Sequence, residues 1–97
     1  MKRVLFLAEA RLDVLDIFRW YESERKGLGK VFREALRQSV QHIRQAPLAS
    51  PVVYKDLRRA LVDRFPYAVF YRVESGAILV VGVFHGHRDA STWQQRG

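Results

Sequence analysis

The chain has 97 residues, 48% of them hydrophobic, and no cysteine, so it can build one small core but neither a disulfide nor a thiolate metal site. Its formal net charge of +7 lies wholly beyond residue 25: residues 1–25 hold five basic and five acidic side chains, residues 26–97 twelve and five. Such a surface suits nucleic acid or an acidic protein partner, with a solvated basic face that binds nothing as the plain alternative. No apolar run approaches a membrane span. VLFLA, following Lys2-Arg3 and ended by Glu9, is too short for a secretory leader.

Val4 to Ala8 is fit for a first strand. Ala10, Val14, Ile17, Phe18 and Tyr21 then follow helical spacing, with Leu12, Leu15 and Trp20 on other sides. This helix is apolar over most of its circumference and is expected to touch more than one layer. RKGLGK breaks it with two glycines. A second helix follows, its apolar stripe running through Leu28, Val31, Phe32, Ala35, Leu36, Ser39, Val40 and Ile43, and Pro47 bounds it. The two should form an antiparallel hairpin.

Ala46 to Pro51 reads as a loop, and beyond it the period changes to that of strands. Leu57–Val62 is one. Tyr67–Glu74 and Ala77–His85 flank Ser75-Gly76, a hairpin signal. With a two-residue turn, Glu74 faces Ala77 and Tyr71 faces Val80. One sheet face then carries Tyr67, Val69, Tyr71, Val73, Ile78, Val80 and Phe84, and should take the helical hairpin. The other carries Ala68, Phe70, Arg72, Leu79, Val81, Val83 and His85, too apolar to leave in water. A partner chain or the chain's own ends are the candidate covers. The order is β-α-α-β-β-β: an α+β fold, one domain over 1–97, with a helical hairpin on a small, mainly antiparallel sheet.

FHGHRDASTW, Phe84 to Trp93, is the densest polar stretch. His85-x-His87-x-Asp89 has the spacing of a zinc motif, but Ala90 stands where that motif continues with histidine. The third histidine, His42, is on the polar side of the second helix. The stretch is therefore read as the closing element of the fold, with no metal and no cofactor. Each residue has a structural role beside a functional one. His85 bonds a backbone group or contacts a target; Arg88 and Asp89 pair locally or contact it. Trp93 packs on the uncovered sheet face or reaches out. Arg58, Arg59 and Arg64 form a solvated cluster or an acidic-partner site. Tyr67 and Tyr71 are core, and Trp20 is core or partner contact.

Taken together, the Glu9-Ala10 step, the two helices, RRALVDRFPYAVFYRVE (Arg58 to Glu74) and the closing His85-x-x-Arg88-Asp89 with Trp93 resemble the RelE/ParE superfamily of small bacterial toxins over nearly the full length. The resemblance implies a cytoplasmic toxin silenced by a small, acidic antitoxin whose C-terminal segment folds on it, and hence a hetero-oligomer. RelE-like members cut messenger RNA on the ribosome; ParE-like members poison DNA gyrase. RNA cleavage needs basic groups converging on one phosphate. Where the nucleases carry a Tyr-Arg step this chain has Tyr67-Ala68. Leu61 replaces a second basic residue, and Trp93, near a terminal tyrosine position, cannot ionise; Arg59 and Arg88 alone match. The chain is thus more ParE-like than RelE-like. Target contacts are expected at Arg64, His85, Arg88, Asp89 and Trp93, and antitoxin contacts at Trp20, Phe70, Arg72, Leu79 and Val81. A ribosome-dependent endoribonuclease using Arg59 and Arg88, or a basic binding module without toxic action, are the alternatives.

Overall fold

The computed structural model describes residues 2–86 and 90–96. Strand β1 (Arg3–Phe6) leads into α1 (Ala8–Glu24) and α2 (Leu28–Gln45). Then come β2 (Val52–Tyr54), β3 (Leu57–Leu61), β4 (Tyr67–Glu74), β5 (Ala77–His85) and α3 (Ala90–Arg96). The expected β-α-α-β-β-β order is present, with a short extra strand after the Ala46–Pro51 loop and a closing helix. The five strands form one sheet in the order β1-β5-β4-β3-β2. β2 to β5 run as an antiparallel meander, and β1 lies parallel to β5 at one edge.

The helical hairpin is set by its junction. Gly27 has φ 89°, a left-handed conformation that glycine adopts without steric cost. Here the first N–H groups of α2 would lack partners, and no side chain at the N-cap supplies one. Glu22, near the end of α1, supplies it from a distance, accepting from the Gly27 N–H at 2.9 Å and the Gly29 N–H at 3.0 Å. Gly29 also lets the helices approach: a Cβ there would lie 2.8 Å from the Phe18 carbonyl oxygen. The face of α2 that the periodicity marked is buried at Phe32, Ala35, Leu36, Ser39 and Ile43. Ser39, the polar member, donates to the Leu61 carbonyl at 3.2 Å, which ties α2 to β3.

Two apolar clusters form, one on each side of the sheet. On the hairpin side Ala10, Ile17, Phe32, Leu36 and Ile43 meet Val69, Tyr71, Ile78, Val80 and Val83. Tyr71 is fully buried, and its hydroxyl donates to the Pro47 carbonyl at 2.7 Å. On the other side Leu57, Ala68, Phe70, Val81 and Phe84 lie beneath Trp93 of α3. The cover of the second face is thus the chain's own end.

The Ser75-Gly76 turn behaves as expected, with Glu74 paired to Ala77, Tyr71 to Val80, and Gly76 at φ 81°. Beyond Val80 the expected faces change. The register shifts at Phe70/Tyr71, so that Tyr71 pairs with Val80 but Phe70 pairs with Gly82. Val81 is an extra residue on β5, and one extra residue inverts the side-chain alternation that follows it. Phe84 therefore belongs to the α3 side, not the hairpin side. Val83 belongs to the hairpin side, and His85, paired with Tyr67, shares that side instead of the second face. Helix α1 also differs from expectation in part. It does contact α2 and β5, but it buries only Ala10 and Ile17, leaving Leu12, Leu15 and Trp20 exposed.

Candidate functional site

The end of β5 lies between two clefts. On the hairpin side a cleft of about 340 Å³ is lined by Asp13, Asp16, Trp20, Tyr67, His85 and Arg96, among others. The edge of the Tyr67 ring meets the His85 ring, with centroids 5.5 Å apart. Trp20 stands at the rim, 55% exposed, its ring edge-on to Tyr21. It is therefore not core.

The second cleft, about 740 Å³, lies under the β3–β4 turn and is lined by Arg59, Leu61, Val62, Asp63, Arg64, Phe65, Pro66 and Gly86. The Gly86 N–H donates to the Pro66 carbonyl at 2.6 Å, which clips the end of β5 to this turn. Arg64 has φ 67°, a left-handed conformation uncommon for a side-chain-bearing residue, and projects into solvent with Asp63 3.7 Å away. An exposed pair of that length is screened and weak, so the Arg64 charge stays available to a partner. Arg59 is half-buried and shares the cleft with Arg64.

Four sequence-marked residues, Trp20, Arg59, Arg64 and His85, thus gather around one end of the β4–β5 ladder. Arg88 and Asp89, expected as target contacts, lie outside the described residues. Trp93 is 8% exposed and stacks on Phe70, with centroids 5.0 Å apart and planes at 25°. Its indole serves the second cluster. The antitoxin candidates divide. Phe70 and Val81 are buried beneath α3, while Arg72 and Leu79 are half-buried and paired with each other across β4 and β5, beside Leu5 of β1.

Two features of this region escaped the sequence. Arg96 binds Asp13 across the first cleft, a pairing of distant segments that no local pattern announces. Leu61 is 69% exposed at the lip of the second cleft; its place as the last residue of β3 was the available signal.

Where a nuclease of the superfamily would carry its middle-strand arginine, Ala68 is wholly buried in the second cluster. The other Tyr-Arg step, Tyr71-Arg72, has its tyrosine in the core with its hydroxyl committed to Pro47.

A helical hairpin on a mixed five-stranded sheet, closed by a short C-terminal helix and carrying arginines at the strand ends, defines a small basic α+β protein whose functional groups are arranged for contact. The family model described as the ParE toxin of type II toxin–antitoxin system, parDE, matches residues 4–90, and the chain belongs to that family. It is a type II toxin component, and its partner is a cognate antitoxin. A solved chain described as "Chromosomal ParDE TA system from P. aeruginosa" is similar at TM-score 0.67 and 15% identity, over 88% of this chain and 96% of that one, a likeness of fold. A comparison with curated proteins gives no match. No described helix is long and apolar enough to cross a membrane.

Proposed function

We propose that this toxin acts in the cytoplasm by binding and poisoning DNA gyrase, with no cleavage chemistry of its own. Its contact surface is the end of the β4–β5 ladder, where Arg59, Arg64 and His85 gather, extended by Arg88 and Asp89. A small acidic antitoxin silences it by folding a C-terminal segment on the toxin, forming a hetero-oligomer.

The observation that supports this reading best is Ala68. Catalysis of RNA cleavage draws on cations preorganised around the reacting phosphate. The middle-strand position that would supply one instead holds a methyl group buried against Phe84 and Phe70. What remains at the surface is a basic, open cleft suited to recognition.

Induction in bacteria lacking the antitoxin tests the reading. DNA damage response, filamentation and inhibition of purified gyrase are expected. Rapid arrest of translation, with message cut at the ribosomal A site and the cuts lost in Arg59→Ala or Arg88→Ala, would establish the ribosome-dependent endoribonuclease instead. Growth unaffected by the folded protein would leave a basic binding module.

A further inference from the structure

One edge of the sheet is open. β1 has β5 on one side and no strand on the other. The Leu7 N–H, just past β1, donates to the Val80 carbonyl at 3.0 Å. By the two-residue period of a strand, Arg3 and Leu5 also turn their backbone groups toward β5, and Val4 and Phe6 turn theirs outward. These outward groups border a groove of about 460 Å³ whose other wall is Arg37, Val40, Gln41 and Arg44 of α2. Arg44 Nε is the one buried side-chain nitrogen or oxygen among the described residues without a hydrogen-bond partner. A buried charged donor without an acceptor is costly, so its place marks where an acceptor belongs.

We propose that this groove takes an extended, acidic segment of the antitoxin as a sixth strand against β1, with one of its carboxylates accepting from Arg44. The proposal rests on the toxin–antitoxin reading and adds the site and the binding mode. Three observations select this occupant. The groove is basic, with Arg3, Arg37 and Arg44 around it and Lys2 adjacent, while Glu34 is already taken by Arg37 at 2.6 Å. A second copy of the chain would bring the same cations and be repelled. Nucleic acid would supply acceptors for the arginines, but its phosphates offer no donors to the Val4 and Phe6 carbonyls. An added strand supplies donors and acceptors in alternation. The two sides of β1 also set the segment's pattern: Val40 and Arg44 line one side, while Leu5, 40% exposed and paired with Leu79, lies on the other. Acidic residues should therefore alternate with apolar ones.

The test uses the full-length toxin with and without the antitoxin encoded beside it. Amide exchange is read at Val4 and Phe6, and affinity is measured for wild type and for Arg44→Gln after its melting temperature is shown to match wild type. Binding should slow exchange at both amides by at least about tenfold, and Arg44→Gln should weaken affinity by about tenfold or more, with the deficit shrinking as salt rises. Antitoxin bound while Val4 and Phe6 exchange as in the free chain overturns the edge assignment and leaves the toxin–antitoxin reading standing. No association under any condition overturns both. Edge protection in the toxin alone that grows with its concentration makes a second copy the occupant and overturns the proposal.

Discussion

Arg96 on α3 donates from Nη1 to Oδ2 of Asp13 on α1 at 2.9 Å, joining residues 83 apart in sequence. The same Asp13 oxygen accepts from the Val83 N–H at 3.0 Å, and Arg96 also reaches the Val81 carbonyl at 3.2 Å and lies over the Phe84 ring at 4.7 Å. The two side chains are only 21% and 18% exposed, so water screens the pair less than an ordinary surface bridge. One arginine thus ties the closing helix to the first helix and to the bulged strand.

Arg96→Ala should therefore destabilise the fold by about 1.5–3 kcal/mol, the range for a hydrogen bond to a charged group. Asp13 would keep the Val83 N–H but lose its counter-charge. Thermal melts read the loss, and binding of a dye for exposed apolar surface should rise as α3 loosens over Phe70. An unchanged melt would mean that Trp93 alone holds the helix.

Gly82 should not tolerate a side chain. A Cβ there would sit 2.5 Å from Phe84 Cε2 and 3.0 Å from Arg96 Nη1. Gly82→Ala must displace the ring and the guanidinium together, at about 1–3 kcal/mol by the usual cost of overpacking. The Gly82→Ala/Arg96→Ala double variant should lose less than the sum of the two single losses, because both act through one contact. Additive losses would show that the clash is absorbed elsewhere.

Trp93→Ala should cost about 3–5 kcal/mol, as for other large aromatic truncations in cores, since it uncovers Phe70, Val81 and Phe84 together. Trp93→Phe should recover much of that stability. If toxicity returns with stability in the Phe variant, Trp93 acts through packing. A stable but non-toxic Phe variant would make the indole a target contact.

Glu22 should contribute a pH-dependent part of the stability. The Gly27 N–H first, then the Gly29 N–H and the charges of Lys30 and Lys26, hold its carboxyl below the ordinary value. A depressed carboxylate contributes its full stabilisation above the unfolded-state pKa and loses it as pH falls through the folded one. The wild-type melting temperature should drop on acidification below about pH 4.3. The gap to Glu22→Gln, wide near neutrality, should narrow over the same window. A gap independent of pH would remove Glu22 from the linkage.

Arg64 separates function from folding. Its side chain is 76% exposed and its φ is 67°. Arg64→Gly relieves backbone strain on the order of 1 kcal/mol. It adds unfolded-chain entropy worth roughly 0.5–1 kcal/mol, so net stability should change little. Growth inhibition should nevertheless fall, because the proposed contact surface loses its most exposed cation. Full toxicity at unchanged stability would take Arg64 out of that surface.

Much of this architecture was legible in the amino-acid order. The stripe through Phe32, Leu36, Ser39 and Ile43 is a local period, and the Ser75-Gly76 turn is a local conformational preference. Both arise between neighbours in the chain, so they survive into the fold. The basic character of the second part and the buried role of Trp93 were also readable, the latter because the Phe70 face needed a cover. Other features depend on which distant segments meet. Nothing local says that β5 would carry Val81 as an extra residue and so send Phe84 to one side of the sheet and His85 to the other. Nothing local says that β1 would lie parallel to β5 with Val4 and Phe6 facing outward. The gathering of Trp20, Arg59, Arg64 and His85 at one end of the ladder likewise follows from strand order and register. The side-chain period specifies which residues share a face; the bulge, the edge and the Arg96–Asp13 tie are set by packing between elements far apart in the chain.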